Sequence, residues 1–151
     1  MINLRIPPPI QGIFWGVSMW VVSHVLPQYN FGFSGQKPLG FIIIGMGFLF
    51  DLVSIRSFFQ VRTTVNPVNL DKVSKLVTTG LYQISRNPMY LGLALILSGW
   101  GILLGNIINL IMFCLFILLM NILQIKPEEA VLSEKFGAEY QMYRQSVRRW
   151  I

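Results

Sequence analysis

The chain has 151 residues, of which 54% are hydrophobic and only 12% are charged, about half the charged fraction of a typical soluble domain. This composition excludes an ordinary water-soluble globule and a disordered chain, and it predicts a small integral membrane protein. The net charge of +6 would favour nucleic-acid binding in a soluble protein. Here the basic residues flank apolar stretches, so we expect no nucleic-acid partner.

Four apolar stretches predict an all-α integral membrane fold with four membrane-spanning helices. They lie at about residues 10–26, 39–59, 90–105 and 107–125. The first begins directly after the run Pro7–Pro9. Such a run is compatible with a helix start, because proline is tolerated there. The last two come from the 39 uncharged residues 87–125. As one helix these residues would be about 58 Å long, nearly twice the apolar thickness of a bilayer. We therefore predict a turn at Gly105–Asn106, with a third helix that can begin as early as Asn87 or Pro88.

Glycines recur at helix-packing positions in these stretches. Gly12–Gly16 and Gly101–Gly105 are both GxxxG, while Gly40, Gly45 and Gly47 add small residues to the second stretch. Such spacing lets helix backbones approach closely in lipid. It predicts close packing between helices of this chain, with a dimer face as the alternative.

An ionisable residue lies inside the second predicted span. Asp51 is eight residues before its end, about 12 Å deep in a straight helix. Arg56 is five residues on, about 140° round the helix, and is therefore a poor partner. Because ionisable groups at such depth face a partner or a cavity, we expect Asp51 to meet a polar group of another segment or a ligand cavity.

Lys and Arg cluster in the loop at 60–89 and in the tail at 126–151, two segments separated by two spans. They are Arg62, Lys72, Lys75 and Arg86 in the loop, and Lys126, Lys135, Arg144, Arg148 and Arg149 in the tail. The positive-inside rule therefore predicts a multi-pass protein with cytosolic termini, loop and tail. We expect Lys72, Lys75, Lys135 and Arg144 to act only in orientation and in contact with anionic membrane lipids.

The tail predicts an amphipathic cytosolic helix. Pro127 suits the first helical position, and the acidic pair Glu128 and Glu129 complements the helix dipole. One face then carries Leu132, Phe136, Tyr140, Tyr143 and Val147, although Gly137 weakens its middle. From the residues alone, this is a surface-lying helix with aromatic anchors.

Metal ligands are scarce, since the chain has one cysteine, Cys114, and one histidine, His24. A structural zinc site needs four ligands. We therefore expect no metal and no intrachain disulfide, and a structural or interfacial role for His24.

Two polar segments, taken together, resemble a known family. The first is Arg86-Asn87-Pro88-Met89-Tyr90-Leu91-Gly92, preceded by Thr64-Val65-Asn66-Pro67 and by Leu76-Val77-Thr78-x-Gly80-x-Tyr82. The second is Glu128-Glu129-x-x-Leu132-x-x-x-Phe136-Gly137-x-x-Tyr140-x-x-Tyr143. With an apolar hairpin between them, this pattern over about residues 63–151 resembles the isoprenylcysteine carboxyl methyltransferase family, which is related to the phospholipid N-methyltransferases.

The resemblance implies S-adenosylmethionine as the cofactor and one membrane domain over residues 1–151. Its cytosolic pocket would be formed by the loop 60–89 and the tail 126–151. The implied cofactor contacts are Leu76, Val77, Asn87, Pro88, Tyr90 and Glu129, with Glu128 beside them. Eukaryotic members of the family have histidine where this chain has Asn87.

The chemistry of S-adenosylmethionine agrees with this assignment. Glu129 or Glu128 can pair with its amine, and Arg86 can bind its carboxylate in a bidentate fork. Tyr82 or Tyr90 can stack on adenine or face the sulfonium. We predict Arg86 and Glu128 as catalytic residues, with Glu128 the candidate base for an amine acceptor.

The resemblance implies a membrane methyltransferase, and because it is closer to the carboxyl methyltransferases, we expect it to act on the carboxylate of a lipidic or amphipathic acceptor. A carboxylate needs no base at neutral pH, and Asn87 cannot titrate. The alternatives are a phospholipid or amine N-methyltransferase, a membrane reductase that uses NADPH, and a non-enzymatic transporter or scaffold. The sequence shows no internal repeat of the kind that transporters have. It leaves the oligomeric state open.

Overall fold

The computed structural model describes residues 6–61 and 75–151. In these residues the regular structure is helical, without a β-strand, which confirms the predicted all-α class. The five α-helices are α1 (Pro8–Val25), α2 (Gln36–Val61), α3 (Pro88–Leu104), α4 (Ile108–Leu119) and α5 (Lys126–Ser146). Short 3-10 helices lie at Pro27–Tyr29 and Gly80–Gln83, and a π-helical turn at Met120–Ile125 joins α4 to α5.

Two helical stretches are long and apolar enough to cross a membrane by length and composition. They are Gln36–Ser57 in α2 and the continuous helix Ile108–Ser146, while α3 is apolar but shorter. The outer surfaces of α1, α2 and α4 expose large apolar side chains such as Ile13, Phe41 and Leu110. Water-soluble monomers rarely expose such continuous apolar surface. These features support a membrane protein.

The α3–α4 hairpin forms where the sequence predicts it. The third helix begins at Pro88 and ends at Leu104, and the residue that caps it, Gly105, has a left-handed φ of 59°. This conformation costs little only for a residue without a Cβ. Asn106 then donates to the carbonyl of Leu26 (3.0 Å) and to Oδ1 of Asn30 (2.7 Å). The turn is therefore tied to the end of α1.

Glycine pairs hold α2 against α3. A Cβ built on Gly40 would lie 3.0 Å from the carbonyl oxygen of Gly99, and one on Gly47 would lie 2.6 Å from that of Gly92. The two pairs are seven residues apart on each helix, about two turns. The predicted packing within the chain is thus observed at Gly40 and Gly47, whereas Gly45 has nothing within 4 Å.

The first helix packs on α3 through the predicted GxxxG motif. A Cβ on Gly12 would lie 2.6 Å from Cδ1 of Leu93. The indole Nε1 of Trp100 donates to the carbonyl of Gly16 at 3.0 Å. Because α1 and α2 both lie against α3, an apolar groove remains between them.

The tail helix differs from its prediction at its end. Gly137 has φ 51° and ψ −120°, so the backbone kinks there. Tyr140 and Tyr143 are buried, as one apolar face requires. The prediction that Val147 continues this face is wrong, because the helix ends at Ser146 and Val147 is extended. The extended backbone directs the last residues back towards α3.

Candidate active site

A cavity of about 820 Å³ lies between the start of α1, α2, the segment before α3, and α5. Its volume is within the range of small-molecule sites, about 300–1,000 Å³. Eight of the nine predicted site residues line it, namely Leu76, Val77, Tyr82, Arg86, Asn87, Tyr90, Glu128 and Glu129. The ninth, Pro88, is buried at the start of α3 and is not part of the lining.

Some sequence predictions fall on residues that the structure does not describe. The motif Thr64–Pro67 and the basic residues Arg62 and Lys72 lie outside the described ranges. Lys75, for which the sequence predicts only orientation and contact with anionic lipids, lines the cavity.

Glu129 is bound by two arginines. Nη2 of Arg86 donates to its Oε1 at 2.9 Å. Arg149 donates from Nε to Oε1 at 3.0 Å and from Nη2 to Oε2 at 2.7 Å. The hydrogen bonds to Glu129 raise the pKa of the Arg149 guanidinium. The carboxylate of Glu129 is therefore fixed in place and its charge is offset within the protein.

Glu128 is held by neutral donors. Its Oε1 accepts a hydrogen bond from the hydroxyl of Tyr90 at 2.5 Å and another from Nε2 of Gln124 at 2.5 Å. All three side chains are buried. Gln124 lies in the π-helical turn one helical turn before Glu128. The turn thus positions an amide that orients the carboxylate.

The last residues of the chain fasten the segment that precedes α3. The backbone N–H of Arg86 donates to the carbonyl of Arg148 at 2.9 Å. Nδ2 of Asn87 donates to the carbonyl of Arg149 at 3.0 Å. Nε1 of Trp150 donates to Oδ1 of Asn121 at 3.1 Å. The loop, the tail helix and the chain end therefore meet at one site.

Three tyrosines form an aromatic wall. The hydroxyl of Tyr143 donates to the carbonyl of Tyr82 at 2.7 Å, and the rings of Tyr140 and Tyr143 meet edge to face. Burial raises the pKa of Tyr82 and of Tyr143, and it raises the pKa of Tyr140 to about 12. The phenols are thus neutral at physiological pH and offer aromatic surfaces to a planar ligand.

Asp51 meets the cavity rather than a polar group of another segment. Its Oδ1 is buried without a hydrogen-bond partner in the described residues. The carboxylate lies directly against Gly92 of α3, where a Cβ would collide with it. Of the two expectations for Asp51, the structure therefore favours the ligand cavity.

Away from the ionic groups the cavity becomes apolar. Its lining there includes Gly12, Ile13, Phe48, Leu93, Ile96 and Leu97. Five of these residues also line the adjoining groove of about 440 Å³ between α1 and α2, which continues to Val17, Trp20 and Trp100. The cavity is thus polar beside α5 and apolar where it opens between helices.

Comparison with known proteins assigns the family. Residues 36–139 match the family model described as phospholipid methyltransferase. The chain belongs to this family. No solved structure matches the chain.

Relatives of the chain carry the name that the motifs suggest. Protein-S-isoprenylcysteine O-methyltransferase of Schizosaccharomyces pombe is 38% identical over 123 residues, which are 78% of this chain and 50% of that enzyme. Protein-S-isoprenylcysteine O-methyltransferase A of Arabidopsis thaliana is 28% identical over 108 residues, 72% of this chain and 55% of that protein. The chain thus spans about half the length of these relatives. The resemblance to the isoprenylcysteine carboxyl methyltransferase family is confirmed.

A shorter relative matches part of the chain. It is an uncharacterized protein of Haemophilus influenzae, 49% identical over 63 residues, which are 42% of this chain and 100% of that protein. Together, the family match and the relatives support a membrane methyltransferase.

The sequence did not reveal the roles of two residues that hold the acidic pair, Arg149 and Gln124. Arg149 was placed among the basic residues of the tail, yet it forms the two-point contact to Glu129. The sequence predicts Gln124 only as part of an apolar span, yet its buried side chain donates a hydrogen bond to Glu128. A glutamine one helical turn before the acidic pair was the available signal, because such spacing places both on one helix face.

Proposed function

We propose that this protein is an integral-membrane methyltransferase that uses S-adenosylmethionine and methylates a lipidic or amphipathic acceptor. The observation that carries the proposal is the convergence of eight predicted site residues on one cavity, from both sides of the α3–α4 hairpin. Two motifs that are separated in the sequence have no reason to line one cavity unless they serve the same site.

The residues of the cavity fit the methyl donor. Nε of Arg86 is buried and has no acceptor among the described residues, so it is suited to a carboxylate of the donor. Glu128 supplies negative charge for the donor's amine, and Tyr82 and Tyr140 supply aromatic surface for adenine. When bound, S-adenosylmethionine would supply a methyl group activated by its sulfonium.

The protein's own residues would align the reaction and exclude water. Methyl transfer depends on alignment and a dry site more than on acid–base help. The ion pairs of Glu129 hold Arg86 and Arg149 in fixed positions. The buried contact between Tyr90 and Glu128 then closes the cavity next to them.

We further propose the topology that the sequence predicts, with α1, α2, α3 and the α4 region as four spans. The cavity lies at the end of α3 that begins with Pro88, beside Arg86 and Arg149. The turn at Gly105 lies at the other end of this 17-residue helix, about 25 Å away. The basic residues and the site therefore share one side, which the positive-inside rule makes cytosolic.

The groove between α1 and α2 supports a lipidic acceptor. It is apolar, it adjoins the cavity, and its lining residues Ile13, Val17 and Trp20 lie on a helix face that lipid would cover. An acceptor could keep its hydrocarbon chain in this groove while its head reaches the polar end of the cavity.

The head of the acceptor is a carboxylate or an amine. The names of the S. pombe and A. thaliana relatives support the carboxylate that the sequence predicts.

The test is cofactor binding by the purified protein in detergent. S-adenosylhomocysteine should raise the melting temperature, because a ligand that binds only the folded state stabilises it. NADPH, the cofactor of a membrane reductase, should leave the melting temperature unchanged. Stabilisation by NADPH and not by S-adenosylhomocysteine would overturn the proposal.

A further inference from the structure

The residue directly before α3 uses its side chain in an unusual way. Asn87 occupies the N-cap position, where an asparagine normally accepts a hydrogen bond from a free N–H of the first turn. Its side chain forms no such cap hydrogen bond here. Instead, its Nδ2 donates to the backbone carbonyl of Arg149 at 3.0 Å. The amide of Asn87 therefore holds another part of the chain and does not stabilise the helix that it precedes.

The part that it holds is a strap, residues 147–151, which follows α5 and begins in extended backbone. The carbonyls of Arg148 and Arg149 accept hydrogen bonds from the segment before α3. The N–H of Arg86 donates to the first at 2.9 Å, and the hydroxyl of Ser85 donates to the second at 3.3 Å. Because these bonds end on backbone carbonyls, they fix the path of the strap and not the identity of its side chains.

Trp150 fastens the strap at the next residue. Its indole Nε1 donates to Oδ1 of Asn121 in the π-helical turn at 3.1 Å, and its ring packs against the buried apolar cluster of the protein. The neighbouring residues Arg148 and Ile151 are exposed. The strap is thus fastened at the carbonyl of Arg149 by Asn87 and one residue further by Trp150.

The side chain that this fastening places is the guanidinium of Arg149. It forms the fork to Glu129, and Glu129 also binds Arg86. Two guanidinium groups on one carboxylate leave one positive charge unbalanced. That charge attracts the donor carboxylate for which the unpaired Nε of Arg86 is suited. Release of Arg149 would leave Glu129 and Arg86 as a neutral pair, and the donor would then bind more weakly.

We propose that Asn87 is a positioning residue of the donor site, which acts through Arg149, and that Trp150 has the same role one residue further along the strap. The proposal rests on the proposed function and concerns how its donor site is held. Asn87 lines the cavity, but its amide nitrogen is already bonded to the strap. A loss of donor affinity on changing Asn87 should therefore arise at Arg149 and not from a lost contact with the donor.

Binding of S-adenosylhomocysteine, measured by calorimetry on the purified protein in detergent, tests the role of Asn87. Asn87→Ala should weaken binding about fivefold, the scale of one hydrogen bond. Asn87→His should restore it, because Nδ1 of a neutral imidazole can carry a proton where the amide has Nδ2. Arg148→Ala, which leaves the strap backbone intact, should bind as the wild type does. Unchanged affinity in Asn87→Ala, or no recovery in Asn87→His, would overturn the proposal.

A double-mutant cycle separates an effect through Arg149 from a direct contact with the donor. In an Arg149→Ala background, Asn87→Ala should cost no further affinity, because the guanidinium that it positions is already absent. If the two losses multiply instead, as those of independent contacts do, Asn87 binds the donor itself and the inference fails.

Trp150→Phe tests the second fastening point, since it keeps an aromatic ring and removes the N–H. It should weaken binding of S-adenosylhomocysteine by up to about fivefold. Trp15→Phe is the matched control, because the contacts of Trp15 in the described residues are ring contacts with Phe14 and Phe116. Equal affinities in the two variants would contradict the role of Trp150.

Hydrogen exchange in the ligand-free protein separates this proposal from the proposed function. The N–H of Arg86 donates to the strap, so it should exchange faster in Asn87→Ala and Trp150→Phe than in the wild type. Unchanged exchange in both variants would show that neither residue holds the strap, and the inference would fail. If the wild-type protein does not bind S-adenosylhomocysteine, the proposed function fails, and the exchange alone then decides whether Asn87 and Trp150 hold the strap.

Discussion

Arg149 and Glu129 are joined at two points, Nε to Oε1 at 3.0 Å and Nη2 to Oε2 at 2.7 Å. Arg86 also donates to Oε1 of this carboxylate, from Nη2 at 2.9 Å. A planar guanidinium is suited to such a fork, whereas an ammonium is not. The geometry thus makes Arg149 a positioning residue for Arg86 and Glu129.

Arg149→Lys should therefore lower the affinity for S-adenosylhomocysteine while keeping the charge. The expected loss is about 1 kcal/mol, since a partly exposed ion pair contributes less than a buried one. Arg148→Ala is the matched control, because Arg148 contacts Arg86 only through its backbone carbonyl. Calorimetry on the purified proteins measures both. Equal losses in the two variants would contradict the role of Arg149.

Gly92→Ala should destabilise the protein. The new Cβ would lie 2.8 Å from the carbonyl oxygen of Gly47 and would also collide with the carboxylate of Asp51. Overpacking of this kind costs about 1–3 kcal/mol. Gly45→Ala is the control, because nothing lies within 4 Å of its Cβ. The melting temperature should fall for Gly92→Ala alone, and a fall of the same size in both would refute the packing argument.

Tyr90→Phe should lower the melting temperature of the protein, because it removes a hydrogen-bond donor from Glu128. The buried carboxylate would keep the bond from Gln124 and lose the 2.5 Å contact to the hydroxyl. The cost of losing a hydrogen bond to a charged group is about 1–3 kcal/mol. Tyr29→Phe changes an exposed tyrosine on another segment and should leave the melting temperature unchanged. A Tyr90→Phe protein as stable as the wild type would exclude a structural role for this contact.

Topology can be tested with reporter fusions. Fusions at Gln36 and Asn106 should report the side opposite to the cytosol, and a fusion within the tail should report the cytosol, because the basic segments are retained there. A cytosolic signal from Asn106 would defeat the four-span arrangement.

The chemistry of the product can be read from the stability of a transferred label. Membranes that contain the protein are incubated with S-adenosylmethionine carrying a radioactive methyl group. Mild alkali releases methanol from a methyl ester and leaves an N-methyl group in place. Because the sequence predicts a carboxylate acceptor and the names of the relatives support it, we expect the label to be released as volatile methanol. Label that stays with the lipid through alkali would favour an amine acceptor, and label in water-soluble products alone would count against the groove.

The sequence predicts the helices well because proline and glycine fix their ends locally. Pro88 starts α3 and Gly105 ends it, and both effects arise within one helical turn. Eight of the nine predicted site residues line one cavity, although only the resemblance to a family linked the two segments. No local pattern in either segment fixes their distance.

The contacts that the sequence did not reveal depend on tertiary structure. The fork from Arg149 to Glu129 requires the chain to extend after Ser146. The place of Asp51 opposite Gly92 requires the α2–α3 register, which no single helix determines. Such relationships appear only once both elements are packed.

The glycine pairs between α2 and α3 also fix the position of the cavity residues of α2 along the axis of α3. Gly40 lies eleven residues before Asp51, about 16 Å along the helix, yet its contact with Gly99 fixes how far α2 can slide along α3. A slip of one turn, about 5.4 Å, would carry Asp51 away from Gly92 and change its height relative to Arg86. A bulky residue at Gly40 would therefore change the shape of the cavity, although Gly40 does not line it.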